Sequence, residues 1–208
     1  MRLHGYLQSS ATWQVRAALA LKGLTVPEVL HRLPDGSPCP PGEASLGVPG
    51  GLPALELPDG TILTQSLAIL EWLEEIWPSP PLLPPDPLTR ARVRAFAMTI
   101  ACEVQPLHAP RMQARLTAAG LSEGQVQGWM RQMSAERLDV CETMLCGMAG
   151  PFCFGDVPGL ADACLVPQLH AARQLSVHLA FPRLLAAEAA CMTLPAFRQV
   201  HPEMLHVG

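Results

Sequence analysis

The sequence predicts two domains of different class. A mixed α/β domain spans residues 1–80, and an all-helical domain spans 88–208, with a proline-rich linker at 81–87. Three observations carry this division. Strand-like and helix-like apolar patterns alternate up to about residue 78. The stretch 78–87 reads Pro-Ser-Pro-Pro-Leu-Leu-Pro-Pro-Asp-Pro and has too few N–H donors for helix or sheet. Beyond it, the apolar patterns have helical spacing.

Residues 3–7 read as a short strand and 12–22 as a helix, closed by Gly23 in the C′ position. A second strand is expected at 25–30. The Pro-, Gly- and Ser-rich stretch 33–49 is a loop that leaves little room for another helix. Residues 54–57 and 61–63 flank Pro58-Asp59-Gly60, a hairpin signal. From Ser66 onward, Ile69, Leu70, Leu73, Ile76 and Trp77 fall on one helical face, with Glu71, Glu74 and Glu75 read as a solvated face. In the second domain, 88–116 is a long helix broken at Pro106 and Pro110. Residues 122–145 form the next helix, and Gly159-Leu160-Ala161-Asp162 opens a third, with Asp162 accepting from first-turn N–H groups. Shorter helices follow at 182–192 and 194–200. A joint between an α/β half and a helical half favours a cleft for a small ligand.

Composition removes several classes. Apolar residues make up 49% and charged ones 15%, which marks a globular chain. A net charge of −4 and the lack of any basic block argue against nucleic acid as a partner. The opening Met-Arg-Leu-His-Gly lacks the apolar run of a signal peptide, and no run of about 18 apolar residues suits a membrane span. A cytoplasmic protein is expected. The seven cysteines, at 39, 102, 141, 146, 153, 164 and 191, form no Cys-x-x-Cys pair and read mostly as small buried hydrophobes. The seven histidines do not cluster at ligand spacing, so no metal site is expected.

Two segments carry chemistry. Ser9-Ser10-Ala11-Thr12-Trp13-Gln14-Val15-Arg16 places paired hydroxyls between a strand and a helix. Unpaired N–H groups at such a junction carry partial positive charge and welcome an anion. Gly50-Gly51-Leu52-Pro53-Ala54-Leu55 puts an X-Pro bond before a strand, and Leu63-Thr64-Gln65-Ser66-Leu67-Ala68-Ile69 puts a polar pair at the start of a helix. Taken singly, such serines are ordinary N-caps and Pro53 an ordinary trans loop proline. Their order in one βαβ…ββα frame reads as a thioredoxin-like domain holding glutathione, with the thiolate near Ser9 and a carboxylate near Ser66. The chain has no redox cysteine pair, so the thiol comes from that cofactor.

These residues resemble the zeta-class glutathione transferases, the family of the maleylacetoacetate and maleylpyruvate isomerases. The likeness runs through Ser9-Ser10-x-x-Trp13-x-Val15-Arg16, Thr64-Gln65-Ser66-Leu67-Ala68-Ile69 and Pro81-Leu82-Leu83-Pro84. It continues in Ile100-Ala101-Cys102-Glu103-x-Gln105-Pro106-Leu107, Gly155-Asp156, Leu160-Ala161-Asp162-x-Cys164-Leu165-Val166-Pro167-Gln168 and Leu194-Pro195-Ala196-Phe197. The resemblance implies the glutathione transferase fold, an α/β thioredoxin-like N-terminal domain plus an all-α C-terminal domain, in a homodimer. It also implies roles. Ser9, with Ser10 beside it, is the catalytic hydroxyl that hydrogen-bonds the glutathione sulfur. Leu52 pairs through its backbone with the cysteinyl part, before a cis Pro53. Gln65 and Ser66 receive the γ-glutamyl carboxylate, and Gln105 is a further glutathione contact.

The family's substrate-binding arginines are altered. Gln8 stands at one such position, and Gln174 at another with Arg173 adjacent. Pro110 and Arg111 stand where two arginines can occur, and His108 lies close by. Gln8, His108, Arg111, Arg173 and Gln174 are therefore the substrate-binding candidates. Ala11 replaces a frequent cysteine, Gly159 a capping threonine, and Gly47-Val48 an Asn-Pro. The expected activity is glutathione-dependent cis–trans isomerisation of a conjugated ene-carbonyl of the maleylacetoacetate or maleylpyruvate type. Because an arginine–carboxylate pair is bidentate and glutamine has no charge, two alternatives stand. They are isomerisation of a non-diacid polyene or enone intermediate, and a glutathione-conjugating transferase. A non-catalytic scaffold is a third reading, against which Ser9 argues.

Overall fold

The structure, a computed structural model, describes residues 1–31 and 51–205. The loop expected at 33–49, Cys39, Gly47-Val48 and Gly50 lie outside the described residues. The chain divides into two compact units, Met1–Pro84 with Met192–Gly208, and Pro85–Cys191.

The first unit is built on a four-stranded sheet in the order β2-β1-β3-β4. Its strands are β1 (Arg2–Gly5), β2 (Glu28–Leu30), β3 (Ala54–Glu56) and β4 (Ile62–Thr64), with helices α1 (Ser10–Leu21) and α2 (Ser66–Ile76). β1 runs parallel to β2 and antiparallel to β3, and β3 is antiparallel to β4. The first strand is shorter than expected because the chain turns at once. Ser9 N–H donates to the Tyr6 carbonyl at 3.2 Å, and α1 starts at Ser10 rather than Thr12. Gly5 permits this close approach, since a Cβ there would lie 2.2 Å from the Thr12 Cγ2 atom. Gly23 takes the left-handed conformation (φ 67°) after the Lys22 C-cap, as a C′ glycine should. Leu3, Trp13, Val15, Leu55, Ile69, Leu70 and Leu73 form the buried core of this unit.

Two features depart from the sequence expectation. Glu74 is buried, not part of a solvated face. It pairs with the buried Lys22 ammonium at 2.8 Å and accepts the Leu82 and Leu83 N–H groups at 2.8 and 3.2 Å. Lys22 also donates to the carbonyls of Trp77 (2.6 Å) and Pro80 (3.0 Å). The proline-dense segment cannot pair with itself, so these two side chains satisfy its few donors and its carbonyls. Second, residues 192–208 group with the first unit, whereas the sequence reading placed them in the helical domain 88–208. Their short helix α8 (Pro195–Arg198) packs on α1, and the His201 ring meets the buried Trp13 edge-on at 4.7 Å.

The second unit contains α3 (Pro87–Thr99), α4 (Pro110–Ala118), α5 (Glu123–Met144), α6 (Leu160–Gln174) and α7 (Pro182–Cys191). Asp86 caps α3 by accepting the Thr89 N–H at 2.7 Å. The break expected at Pro106 and Pro110 is a π-turn at Ile100–Val104, a 3-10 turn at Gln105–His108, and a fresh start at Pro110. A reciprocal Ser122–Gln125 capping box opens α5. Asp162 accepts from the N–H groups of Gly159 and Cys153, each at 2.9 Å, and so holds the start of α6. Cys141, Cys153, Cys164 and Cys191 are buried, while Cys102 and Cys146 are exposed. Among the described residues no helix is long and apolar enough to cross a membrane, and no group of three metal-ligating side chains forms.

Candidate active site

Strand register assembles the predicted glutathione residues. His4 on β1 lies opposite Ala54 on β3, and Ala54 lies opposite Thr64 on β4. The turn leaving β1, the Leu52–Pro53 entry to β3 and the Gln65–Ser66 exit from β4 therefore lie at one end of the sheet. Both α1 and α2 begin at this end, so two positive helix N-termini face the same region.

Ser9 is the N-cap of α1. It is buried, and its Oγ accepts the Thr12 N–H at 3.1 Å. Capping uses one oxygen lone pair and leaves the hydroxyl proton for a second partner. The cap and the thiolate donor are thus compatible roles of one atom. Ser10 is the first residue of α1 and half-buried.

The start of α2 is organised differently. Its N-cap, Gln65, has φ 69° and gives no side-chain cap, which leaves the first-turn N–H groups without that acceptor. Ser66 is buried at the first helical position, and no described residue hydrogen-bonds its hydroxyl. An uncapped helix start carrying a buried hydroxyl suits a carboxylate. The Leu52–Pro53 peptide is cis, as expected, and Leu52 makes no backbone hydrogen bond to another described residue. A cavity of about 390 Å³ in this unit is lined by Arg16, Leu19, Glu28 and Val200 among others, and by none of these glutathione candidates. That cavity does not coincide with the sheet end where these candidates lie.

Within the helical unit, Gln105 and His108 belong to one polar chain. Gln168 Nε2 donates to Gln105 Oε1 at 3.4 Å, and Gln168 Oε1 lies 3.0 Å from His108 Nδ1. His108 Nε2 lies 3.0 Å from Ser134 Oγ. Burial pulls the His108 pKa down to about 4, so the ring is neutral, with Nδ1–H donating to Gln168 and Nε2 accepting from Ser134. Gln168 and Ser134 carry no role in the sequence reading. Gln168 closes the Cys164-Leu165-Val166-Pro167-Gln168 run, whereas no local pattern marks Ser134.

The remaining substrate candidates are placed as follows. Arg173 forms a two-pronged pair with Glu188, one prong at 2.6 Å between Nη1 and Oε1 and the other between Nη2 and Oε2. That pairing holds the Arg173 pKa above its ordinary value. Gln174 is exposed at the end of α6 and contacts His170 at 3.1 Å. Arg111 is exposed on α4 and Gln8 on the turn before Ser9.

A thioredoxin-like sheet with this hydroxyl-bearing edge, preceding a helical unit, is the architecture of the glutathione transferases. A family model described as "Glutathione S-transferase, N-terminal domain" matches residues 8–76. The chain is 42% identical over 206 residues to the maleylacetoacetate isomerase of Pseudomonas aeruginosa, spanning 97% of this chain and 96% of that protein. It is 35% identical over 206 residues to the maleylpyruvate isomerase of Ralstonia sp, spanning 97% of each. The holo structure of a zeta-class bacterial maleylpyruvate isomerase superposes with a TM-score of 0.89 at 34% identity, covering 99% of this chain and 98% of that one. The chain belongs to the maleylacetoacetate and maleylpyruvate isomerase family, in the zeta class of glutathione transferases.

Proposed function

We propose that this protein is a glutathione-dependent cis–trans isomerase of a maleyl-type conjugated ene-carbonyl diacid. The observation that carries the proposal is the buried Ser9 hydroxyl at the α1 N-terminus, with its Oγ lone pair used by Thr12 and its proton left to donate. A hydrogen-bond donor and a helix N-terminus both favour a thiolate over a thiol whose ordinary pKa is about 8.5. Ser66 and the uncapped start of α2 suit the far carboxylate of the tripeptide, with Gln65 and the Leu52 backbone beside it.

The thiolate adds to one alkene carbon, and the π electrons move onto the carbonyl oxygen to give an enolate. The former double bond is now single and rotates. The enolate collapses, re-forms the alkene in the trans geometry and expels the thiolate, so glutathione is not consumed. Covalent addition replaces one forbidden rotation by easier steps. Donors near the enolate oxygen lower the barrier further, a role open to Ser10 and Gln8. Curated relatives named as isomerases, and a maleylacetoacetate isomerase from Anaeromyxobacter dehalogenans solved with bound glutathione at 37% identity, support this reading over conjugation. A homodimer in the cytoplasm is part of the proposal, and Leu88 and Met98, exposed on α3, are candidates for burial at its interface.

The test follows product and free thiol together over many turnovers of a maleyl diacid. Product with an undiminished thiol pool is expected. Stoichiometric thiol loss means conjugation, and an inert protein that binds glutathione means a scaffold. Either result overturns the proposal.

A further inference from the structure

We infer that Arg16 is the positioning residue for the thiolate-binding serine, acting through the turn that connects β1 to α1; this rests on the glutathione reading above. Arg16 lies on α1 and is only 5% exposed. Its guanidinium reaches three acceptors at once. Nε donates to both Glu28 carboxylate oxygens at 3.0 Å, and Nη2 donates to Glu28 Oε1 at 2.6 Å. On the other side, Nη1 donates to the Leu7 carbonyl at 3.1 Å and Nη2 to the Tyr6 carbonyl at 3.5 Å.

Those two carbonyls belong to the consecutive peptides Tyr6–Leu7 and Leu7–Gln8, which lead into Ser9. A trans peptide holds its N–H opposite its C=O, so gripping both carbonyls fixes two consecutive peptide planes. Their N–H groups, on Leu7 and Gln8, are directed away from the guanidinium, and no other described residue accepts from them. The Tyr6 carbonyl is shared with Ser9 N–H at 3.2 Å, so the clamp bears directly on the residue that carries the hydroxyl. Nothing else described grips the Leu7 carbonyl. Glu28, on β2, holds the guanidinium's orientation and offsets its charge, and this makes a buried arginine tolerable.

Lysine cannot reproduce this geometry. An ammonium is a point donor, whereas the arginine fork spans Glu28 and two carbonyls in one plane. Arg16→Lys therefore keeps the charge pair with Glu28 and loosens the turn. Glu28→Gln loosens the same clamp from its other end. A tie that merely joined α1 to β2 would affect stability alone, while a positioning role also moves the thiol.

The experiment compares wild type, Arg16→Lys, Glu28→Gln and the charge-free Arg16→Met/Glu28→Leu pair. Four quantities are read: thiolate ultraviolet absorbance of bound glutathione against pH, kcat/KM against pH, the Kd of S-methylglutathione, and the denaturation midpoint. Arg16→Lys is expected to raise the bound-thiol pKa by about one unit, a tenfold change in thiolate ratio. It should lower kcat/KM at neutral pH with recovery as the pH rises, while the Kd of S-methylglutathione stays within about twofold, since that ligand has no thiol to orient. Glu28→Gln should move the pKa in the same direction by less. A lowered midpoint with an unmoved thiol pKa in every variant that folds makes Arg16 a structural tie and overturns the inference. If Arg16→Lys does not fold, the other two variants carry the same measurement. A wild type that binds neither glutathione nor S-methylglutathione overturns the functional reading itself, an outcome distinct from an unmoved pKa.

Discussion

Ser9→Ala separates into two effects that can be measured independently. The first is on folding. Thr12 N–H loses its acceptor at 3.1 Å, and replacing a serine N-cap by alanine costs about 1 kcal/mol. The second is on the cofactor. A hydrogen bond to a charged group contributes about 1.5–3 kcal/mol, so losing a donor to the thiolate raises its pKa by about one to two units. Ser9→Gly divides the two, because glycine is a tolerable N-cap only a few tenths of a kcal/mol worse than serine, yet has no hydroxyl. The assay is the thiolate absorbance of bound glutathione against pH, with denaturant unfolding run in parallel. Both variants should shift the titration by the same amount, and only Ser9→Ala should lose appreciable stability. Turnover at neutral pH should fall and recover as the pH is raised. Coincident titration curves for wild type and Ser9→Gly would refute the reasoning, because the hydroxyl would then be a cap and nothing more.

Ser66→Ala should weaken glutathione binding by about 1.5–3 kcal/mol and leave the bound-thiol pKa unchanged, since it acts on the far carboxylate; titration calorimetry reads the first and absorbance the second. Glu74→Gln should destabilise the first unit by about 3–5 kcal/mol, because the Lys22 ammonium, wholly buried, is left without its counter-charge; a matching loss in Lys22→Met, and a smaller one in the Lys22→Met/Glu74→Leu pair, checks the cause. His108 is held neutral in the folded state, with its pKa lowered from 6.5 to about 4. The unfolded chain therefore binds more protons between these values, so the stabilisation is complete above pH 6.5 and is lost as the pH falls toward 4, by about 3 kcal/mol in all. A His108→Gln variant whose stability falls just as steeply over that window would remove His108 as the cause. Gln174→Arg should raise kcat/KM for a maleyl diacid by about tenfold or more while leaving its monoester nearly unchanged, since one charge-assisted contact contributes about 1.5–3 kcal/mol. Equal changes for both substrates would point to a general effect instead.

The sequence disclosed what depends on local chemistry. A serine before a helix, a proline that breaks one and a Pro-Asp-Gly hairpin act over a few residues, so the existence of α1 (though not its start at Ser10), the break around Pro106 and Pro110, and the β3–β4 hairpin were legible. Glutathione was legible because its predicted contacts in the first unit lie at strand and helix ends, which leave signatures of their own. Long-range pairing was not legible. Glu74 fell on the polar side of its helix by spacing, and only the folded linker shows that its carboxylate meets Leu82, Leu83 and Lys22. The chain Ser134–His108–Gln168–Gln105 spans three separate segments, and no local pattern announces it. The placement of residues 192–208 in the first unit likewise rests on contacts such as Trp13 with His201.

Thiol chemistry and substrate choice make different demands on this chain. Addition and expulsion of a thiolate require a stabilised anion, which a hydroxyl donor and a helix N-terminus can supply, and Ser9 at the start of α1 suits both. Recognition of a second carboxylate requires positive charge that nothing else neutralises. Of the candidate substrate-binding residues, Gln8 and Gln174 carry no charge, and Arg173 is spent on Glu188. Arg111 retains its charge, exposed on α4. The two sets of residues are separable in mechanism, since losing a carboxylate contact weakens the binding of one class of substrate without removing any step of the isomerisation. On the proposed reading, Gln8 and Gln174 bear on which ene-carbonyl is preferred, while Ser9, the Arg16 clamp behind it and Ser66 bear on whether any is turned over.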